Sequence, residues 1–191
     1  MANVPYEVIS SPFKVYITTG ADAFTGILST PSGGWTKLGT NGTRNQAVGG
    51  VTIQHSQTFN KIRTEGHTGP VKAVRTEEEL MIRLTLLDLS KEVYSAVING
   101  DTPAAQGTTG HDVSLSHGES TRELKLMVRG ASPAANNRVA QFEVPRAYIS
   151  SSPSVQFSKS VPAGIEFEFT ALDDMTALAT GNRFGRLTIA L

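Results

Sequence analysis

Apolar and polar residues alternate with a period of two along most of this chain, and the period changes once. Leu80, Ile82, Leu84 and Leu86 alternate with Met81, Arg83, Thr85 and Leu87, the pattern of a β-strand with one face buried. At Asp88 the period lengthens. Leu89, Val93, Ala96 and Val97 fall at i, i+4, i+7 and i+8, which predicts one face of a helix of about ten residues. Asp88 suits the start of that helix and Gly100 its end. No catalytic residue type gathers at the junction, so the unit reads as a building part.

Alternation elsewhere predicts the remaining elements. Residues 1–12 hold two prolines and no clear period, an N-terminal arm. Phe13, Val15 and Ile17 mark a first strand, and Gly20–Gly34, rich in Gly, Ser, Thr and Pro, a long loop. Trp35–Gly39 is a short strand, Asn41-Gly42 a turn, and Val48–Phe59 a strand. Residues 60–76, with Gly66, Gly69 and Pro70, read as a long inter-strand loop. Its length exceeds the usual hairpin loop of about 2–5 residues, which marks it as a candidate functional loop. Asp101–Asp112 is expected to be a further loop. Strands are predicted at Leu124–Val128, at Ala140–Val144 with Pro145 bending into Ala147–Ile149, at Val155–Phe157, at Ile165–Leu172 and at Leu187–Leu191. About nine or ten strands and one short helix, without βαβ alternation, predict a single mainly β domain over 1–191. Its expected form is two packed antiparallel β-sheets, a sandwich or barrel, with one short flanking α-helix.

Composition narrows the function classes. A chain of 191 residues and 20.3 kDa is expected to bury about 70% of its unfolded surface, enough for one real core. Seventeen basic and seventeen acidic residues cancel, so no basic excess is available to grip duplex DNA or RNA. Near-zero net charge also gives little protection against self-association. Cysteine is absent, which excludes disulfides, thiolate metal sites and cysteine nucleophiles and fits a reducing compartment. There is no secretion signal and no apolar run of the ~20 residues that span a bilayer, so no membrane segment is expected.

Catalytic and metal motifs do not assemble. His111-Asp112 and His117-Gly118-Glu119 match no metal-ligand spacing, and with His55 and His67 they read as solvated histidines. Gly-x-Ser-x-Gly, the P-loop and Gly-x-Gly-x-x-Gly are all missing. Glu166 and Glu168 lie two apart on one strand face and would need a partner strand to act as an acid/base pair. No catalytic residue, metal or cofactor is therefore expected, and the chain is not expected to be an enzyme. What remains is polar alternation opposite the core: Glu77, Glu79, Met81, Arg83 and Thr85 on one strand, Thr121, Glu123 and Lys125 on another, Glu166, Glu168 and Thr170 on a third. Such faces suit a sheet with one wet side, or a sheet whose unprotected edges pair with a neighbouring chain.

The order of a polar loop, Gly66-x-x-Gly69-Pro70, basic residues, Thr76-Glu77-Glu78-Glu79, alternating strand and short helix resembles the major tail tube proteins of long-tailed, siphovirus-like bacteriophages. Phe142-Glu143-Val144-Pro145-Arg146-Ala147 is similar to their strand entering a proline corner. Ile165–Asp173 and Arg183-Phe184-Gly185-Arg186-Leu187 resemble their last two strands. The likeness covers most of residues 45–191.

That resemblance implies a virion structural protein that assembles in the host cytoplasm into stacked hexameric rings. These rings would form the tail tube through which the genome is ejected. It implies sheets joined edge to edge around a lumen, with Glu77, Glu79, Arg83, Glu123, Glu166 and Glu168 as candidate lumen-facing residues. Acids there would repel passing phosphates. It also implies that the loop at 60–76 reaches a neighbouring ring or subunit, with Arg63, Glu65, His67, Lys72 and Arg75 as candidate contacts, and that the N-terminal arm is a second contact. Its partners would be further copies of itself, a tape-measure protein in the lumen, tail terminator and distal tail proteins, and double-stranded DNA in transit. The alternative is a β-sandwich virion decoration or receptor- or carbohydrate-binding module, which would need an aromatic platform. One Trp and four Tyr leave few candidates for that, and most of the eight Phe fall at core-facing positions. A β-barrel enzyme is the third reading.

Overall fold

The segments of period two pair into one large antiparallel sheet. The computed structural model describes residues 13–38, 46–87, 91–98, 104–106, 110–115, 119, 121–131, 139–154, 164–176 and 180–190. Within them lie β1 (Lys14–Thr18), β2 (Thr36–Lys37), β3 (Gln46–Ile62), β4 (Lys72–Leu86), α1 (Lys91–Val97), β5 (Ala104–Gln106), β6 (Gly110–Asp112), β7 (Glu123–Ala131), β8 (Val139–Ile149), β9 (Ile165–Ala171) and β10 (Arg186–Ile189). The large sheet runs β2-β1-β7-β8-β9-β4-β3, with β10 also paired to β8; β5 and β6 form a separate hairpin.

One face of this sheet makes the core. Val15 of β1, Leu126 and Val128 of β7, Val144 and Ile149 of β8, Phe167 and Phe169 of β9, and Ile82, Leu84 and Leu86 of β4 belong to a single buried cluster, with Val51 and Ile53 of β3 packed against it. Contacts between neighbouring strands carry this one cluster across the sheet from β1 to β3, and the sheet is not closed into a barrel. Helix α1 packs against β9 and buries Val97. Phe167 and Phe169 stack with ring centroids 5.8 Å apart at the centre.

Pro145 explains how β8 serves two neighbours. Leu124 pairs with Ala147 but Leu126 with Val144, so β8 carries one extra residue at Pro145–Arg146, a β-bulge. Proline has no N–H to give the ladder, and bulges are where strands tolerate it. The extra residue also flips the parity: Ala140, Phe142 and Val144 face the core before it, Ala147 and Ile149 after it. On the edge opposite β7, β10 pairs with Ala140–Glu143 and β9 with Ala147–Ile149.

The reverse face over β1, β7 and β8 is sealed by residues 19–35. Lys125 Nζ donates to the Asp22 carbonyl at 3.0 Å, Gln141 Nε2 to that of Thr25 at 2.8 Å, and Arg129 to the carbonyls of Ile27 and Ser29. The only tryptophan of the chain, Trp35, is buried there, donating to the Ala23 carbonyl at 3.0 Å and packing on Phe24. Asp22 clips the segment shut by accepting from Thr18 Oγ1 and the Gly34 N–H. Loop carbonyls thus accept from Lys125, Arg129 and the Gln141 amide on the reverse of the sheet, where Gln141 and Met127 are fully buried.

The expected mainly β fold with two antiparallel sheets is what the chain adopts, one sheet large and the other a hairpin. Several finer expectations are corrected: the predicted 101–112 loop contains that hairpin. The expected loop at 60–76 is about half ladder: Asn60–Ile62 pair with Lys72–Val74, leaving residues 63–71 as the turn. Polar side chains on a two-stranded ribbon are solvated on both faces and so lose the apolar alternation that marks a strand. β2 holds two residues rather than five, and α1 is seven residues long. The predicted arm at 1–12, the Asn41-Gly42 turn, the caps at Asp88 and Gly100, the strand at Val155–Phe157 and His117 lie outside the described residues.

Candidate functional site

Three surfaces are built by this topology: an acidic sheet face, a projecting hairpin with an open edge, and a cleft where that hairpin leaves the body.

The acidic face follows from register. Arg83 of β4 lies opposite Glu168 of β9, and Thr85 opposite Glu166. On the other side of β4, Glu79 pairs with Ser56 and Glu77 with Thr58 of β3. Glu123 of β7 lies opposite Tyr148 of β8. Glu77, Glu79, Arg83, Glu123, Glu166 and Glu168 therefore share the sheet face opposite the core. Two of the acids are neutralised. Arg83 Nε meets Glu168 Oε2 at 2.5 Å, and Arg146 reaches both Glu123 oxygens at 3.0 and 2.7 Å. The Arg146 hydrogen bonds hold the Glu123 carboxyl below its ordinary range and push the Arg146 guanidinium up. Among the described residues, Glu77, Glu79 and Glu166 have no ion-pair partner, so this face is acidic over β4 and β9, while Lys125 and Arg129 of β7 project from the same face beneath residues 19–35.

The hairpin extends past the body. β9 pairs with β4 only from Met81 to Leu86. Lys72–Leu80 then have β3 on one side and no described strand on the other, and the outward edge of β3 pairs with no described strand along its whole length. Residues 46–60 contain no Asp, Glu, Lys, Arg or Pro. Sheets that must stay monomeric protect their edges with those residue types. Of the predicted contact residues, Arg63, Glu65 and His67 stand exposed on the turn, Lys72 forms the last rung opposite Ile62, and Arg75 lies within β4. Arg75 sits 6.0 Å over the Phe59 ring and donates to Glu78 Oε2 at 2.8 Å, so it also braces its own hairpin.

A cleft of about 670 Å³ opens between the root of the hairpin and the β8–β10 corner. Ile53, Leu80, Phe142, Val144, Phe184 and Leu187 give it apolar walls. At the rim, His55 Nε2 meets Glu78 Oε1 at 2.7 Å. Burial pushes the Glu78 carboxyl up, but hydrogen bonds from Arg75 and His55 outweigh this and hold it below its ordinary range. On the opposite wall, Arg186 Nε meets Glu143 Oε2 at 2.6 Å, and Gln141 Nε2 donates to Glu143 Oε1 at 2.6 Å. The rim charges are thus mutually paired. Sequence reasoning missed this cleft, although one signal was present: in Glu77-Glu78-Glu79 the middle acid has the parity of the core, as does His55 across from Leu80. A search of protein-family models finds no match to this chain, and a search of curated proteins finds no relative.

Proposed function

We propose that this chain is a structural protein rather than an enzyme: a self-assembling subunit of the tail tube of a long-tailed bacteriophage. Its copies join edge to edge into hexameric rings, which stack in the virion tail after assembly in the host cytoplasm. The carrying observation is the seventeen-residue edge strand β3, whose first fifteen residues hold neither charge nor proline. Unpaired strand edges either aggregate or find a designated partner. Closure by rotation makes rings of a head-to-tail contact, and a second contact makes stacks. The acidic face supports the conduit reading. Carboxylates at Glu77, Glu79 and Glu166, set in a lumen wall, repel phosphates and let DNA slide, whereas ssDNA and dsDNA binders line their grooves with cations. Tape-measure, terminator and distal tail proteins are the partners this reading calls for.

Electron microscopy of the purified chain over a concentration series tests it, with rings or tubes as the expected result. The variant Gln54→Lys/Thr58→Lys places charge on the β3 edge without touching the core. It keeps the wild-type circular dichroism spectrum and loses the particles. A wild-type chain that sediments as a monomer at every concentration overturns the proposal.

A further inference from the structure

The cleft at the root of the hairpin and the apolar tip of the same hairpin are complementary surfaces on one chain. The tip exposes Val71 (58%), Ile62 (45%) and Val74 (42%). Val71 and Ile62 are held side by side by the Val71 N–H donating to the Ile62 carbonyl at 2.9 Å. Exposed apolar side chains scattered singly need no explanation, but three together on a projecting turn form a small patch. The cleft presents Ile53, Leu80, Phe142, Val144, Phe184 and Leu187, and its volume lies in the range of ligand-binding clefts, roughly 300–1,000 Å³.

The tip cannot fill its own cleft. The apolar floor at Ile53 and Leu80 lies nine residues before Ile62 on β3 and nine after Val71 on β4. That is about 30 Å along a paired ladder at 3.3 Å per residue, and the hairpin is itself one wall of the cleft. A second copy can deliver a tip. The rim also favours an apolar insert over an ionic ligand, because Glu78 is held by His55 and Arg75, and Glu143 by Arg186 and Gln141. An incoming charge would find no unpaired partner there, and an apolar group strands none.

We propose that the hairpin tip of one copy, Ile62–Val71–Val74, docks into the Ile53–Leu80–Phe142–Leu187 cleft of the next copy. The inference rests on the self-assembly reading and names the acceptor for the projecting hairpin. It makes the contact heterologous, with donor and acceptor on different surfaces, as closed rings and growing stacks require.

The chain has no cysteine, so single thiols can be placed without background. Val71→Cys is mixed with Leu187→Cys under mild oxidation, and in parallel with Leu28→Cys on the 19–35 segment, a site more exposed (72%) than Leu187 (49%). Preferential cross-linking of Cys at 71 to Cys at 187 is the expected result. If particles form and the thiol at 71 cross-links no better to 187 than to 28, the docking is overturned and self-assembly stands. If the wild-type chain stays monomeric at every concentration, both fall. Val71→Asp and Leu187→Asp change exposed positions and leave the fold intact by circular dichroism. Each weakens association about tenfold, and the double variant loses little more, because both sit in one contact. An additive loss of about a hundredfold places the two residues in separate contacts and also overturns the docking.

Discussion

Substituting Gly185 by Ala tests the tight corner that carries the chain into β10. Gly185 has φ +147°, a conformation L-residues rarely adopt. A Cβ there would lie 2.6 Å from the Glu143 carbonyl oxygen and 3.5 Å from Val144 Cα. Gly50 (φ +66°) and Gly66 (φ +84°) are also left-handed, but nothing lies within 4 Å of a Cβ at either. Those two isolate the dihedral cost, about 1–2 kcal/mol for an L-residue. Gly185→Ala adds a collision with a backbone oxygen that no rotamer can relieve, and overpacking costs about 1–3 kcal/mol more. The expected loss is about 2–5 kcal/mol. At about 2–4 °C per kcal/mol for a chain of this size, Gly185→Ala melts about 4–20 °C below wild type and the two controls about 2–8 °C below. Thermal unfolding by far-ultraviolet circular dichroism measures this, and native-state hydrogen exchange at Leu187 and Ile189 reports whether β10 detaches first. The close approach of Gly185 to β8 is refuted if Gly185→Ala is no less stable than Gly66→Ala.

Two further perturbations address the face opposite the core, one where residues 19–35 seal it and one where it is acidic over β4 and β9. Asp22 accepts from the Gly34 N–H and Thr18, which hold its folded pKa below its unfolded value. Its contribution is therefore complete above about pH 4 and lost as the pH falls through the lowered folded value. Trp35 emission should shift red on acidification before the far-ultraviolet signal fails, and Asp22→Ala should reproduce the shift at neutral pH; emission that holds until global unfolding would count against the clip. Glu77→Lys/Glu79→Lys/Glu166→Lys reverses three unpaired carboxylates on the acidic face. This variant should keep its fold and gain duplex DNA binding in fluorescence anisotropy, losing about 0.9 decades of affinity per decade of salt for each phosphate neutralised. Tight DNA binding by the wild-type chain would contradict the conduit reading.

Much of the fold was legible because one-sided strands advertise themselves. Ile165–Ala171 and Ile82–Leu86 bury every second residue, so alternation located them and register then placed Glu166, Glu168, Arg83 and Glu79 on one face. The hairpin beyond Leu80 was not legible as strand, because it buries no apolar face: its side chains are mostly exposed, and polar contacts such as Arg75 to Glu78 and His55 to Glu78 join the backbone pairing that holds it. The pairing order was hidden as well. That β9 and β10 share one edge of β8 depends on the bulge at Pro145–Arg146, and a proline read in sequence signals a bend without saying which strands it separates. The cleft follows from that arrangement. Its residues come from β3, β4, β8 and the approach to β10, four segments that no local pattern relates.

The placement of charge joins these observations. A sheet built to remain alone puts lysines, acids or proline on its outermost strand. Here the outermost strand is neutral over residues 46–60, and the charge sits one strand inward, at Glu77, Glu79 and Arg83 of β4. Acids on β4 do little to block a strand approaching the far edge of β3, since they project from the sheet face while the edge offers backbone groups in the sheet plane. They instead set the potential of whatever surface the joined sheet presents. Among the described strands the inversion leaves the β3 edge unpaired and puts the charge on the face, an arrangement that suits the proposed edge-to-edge assembly. A net charge of zero is then the sum of unlike regions: acids over β4 and β9, rim charges paired within each wall of the cleft, and cations such as Lys125 and Arg129 spent on loop carbonyls over β7.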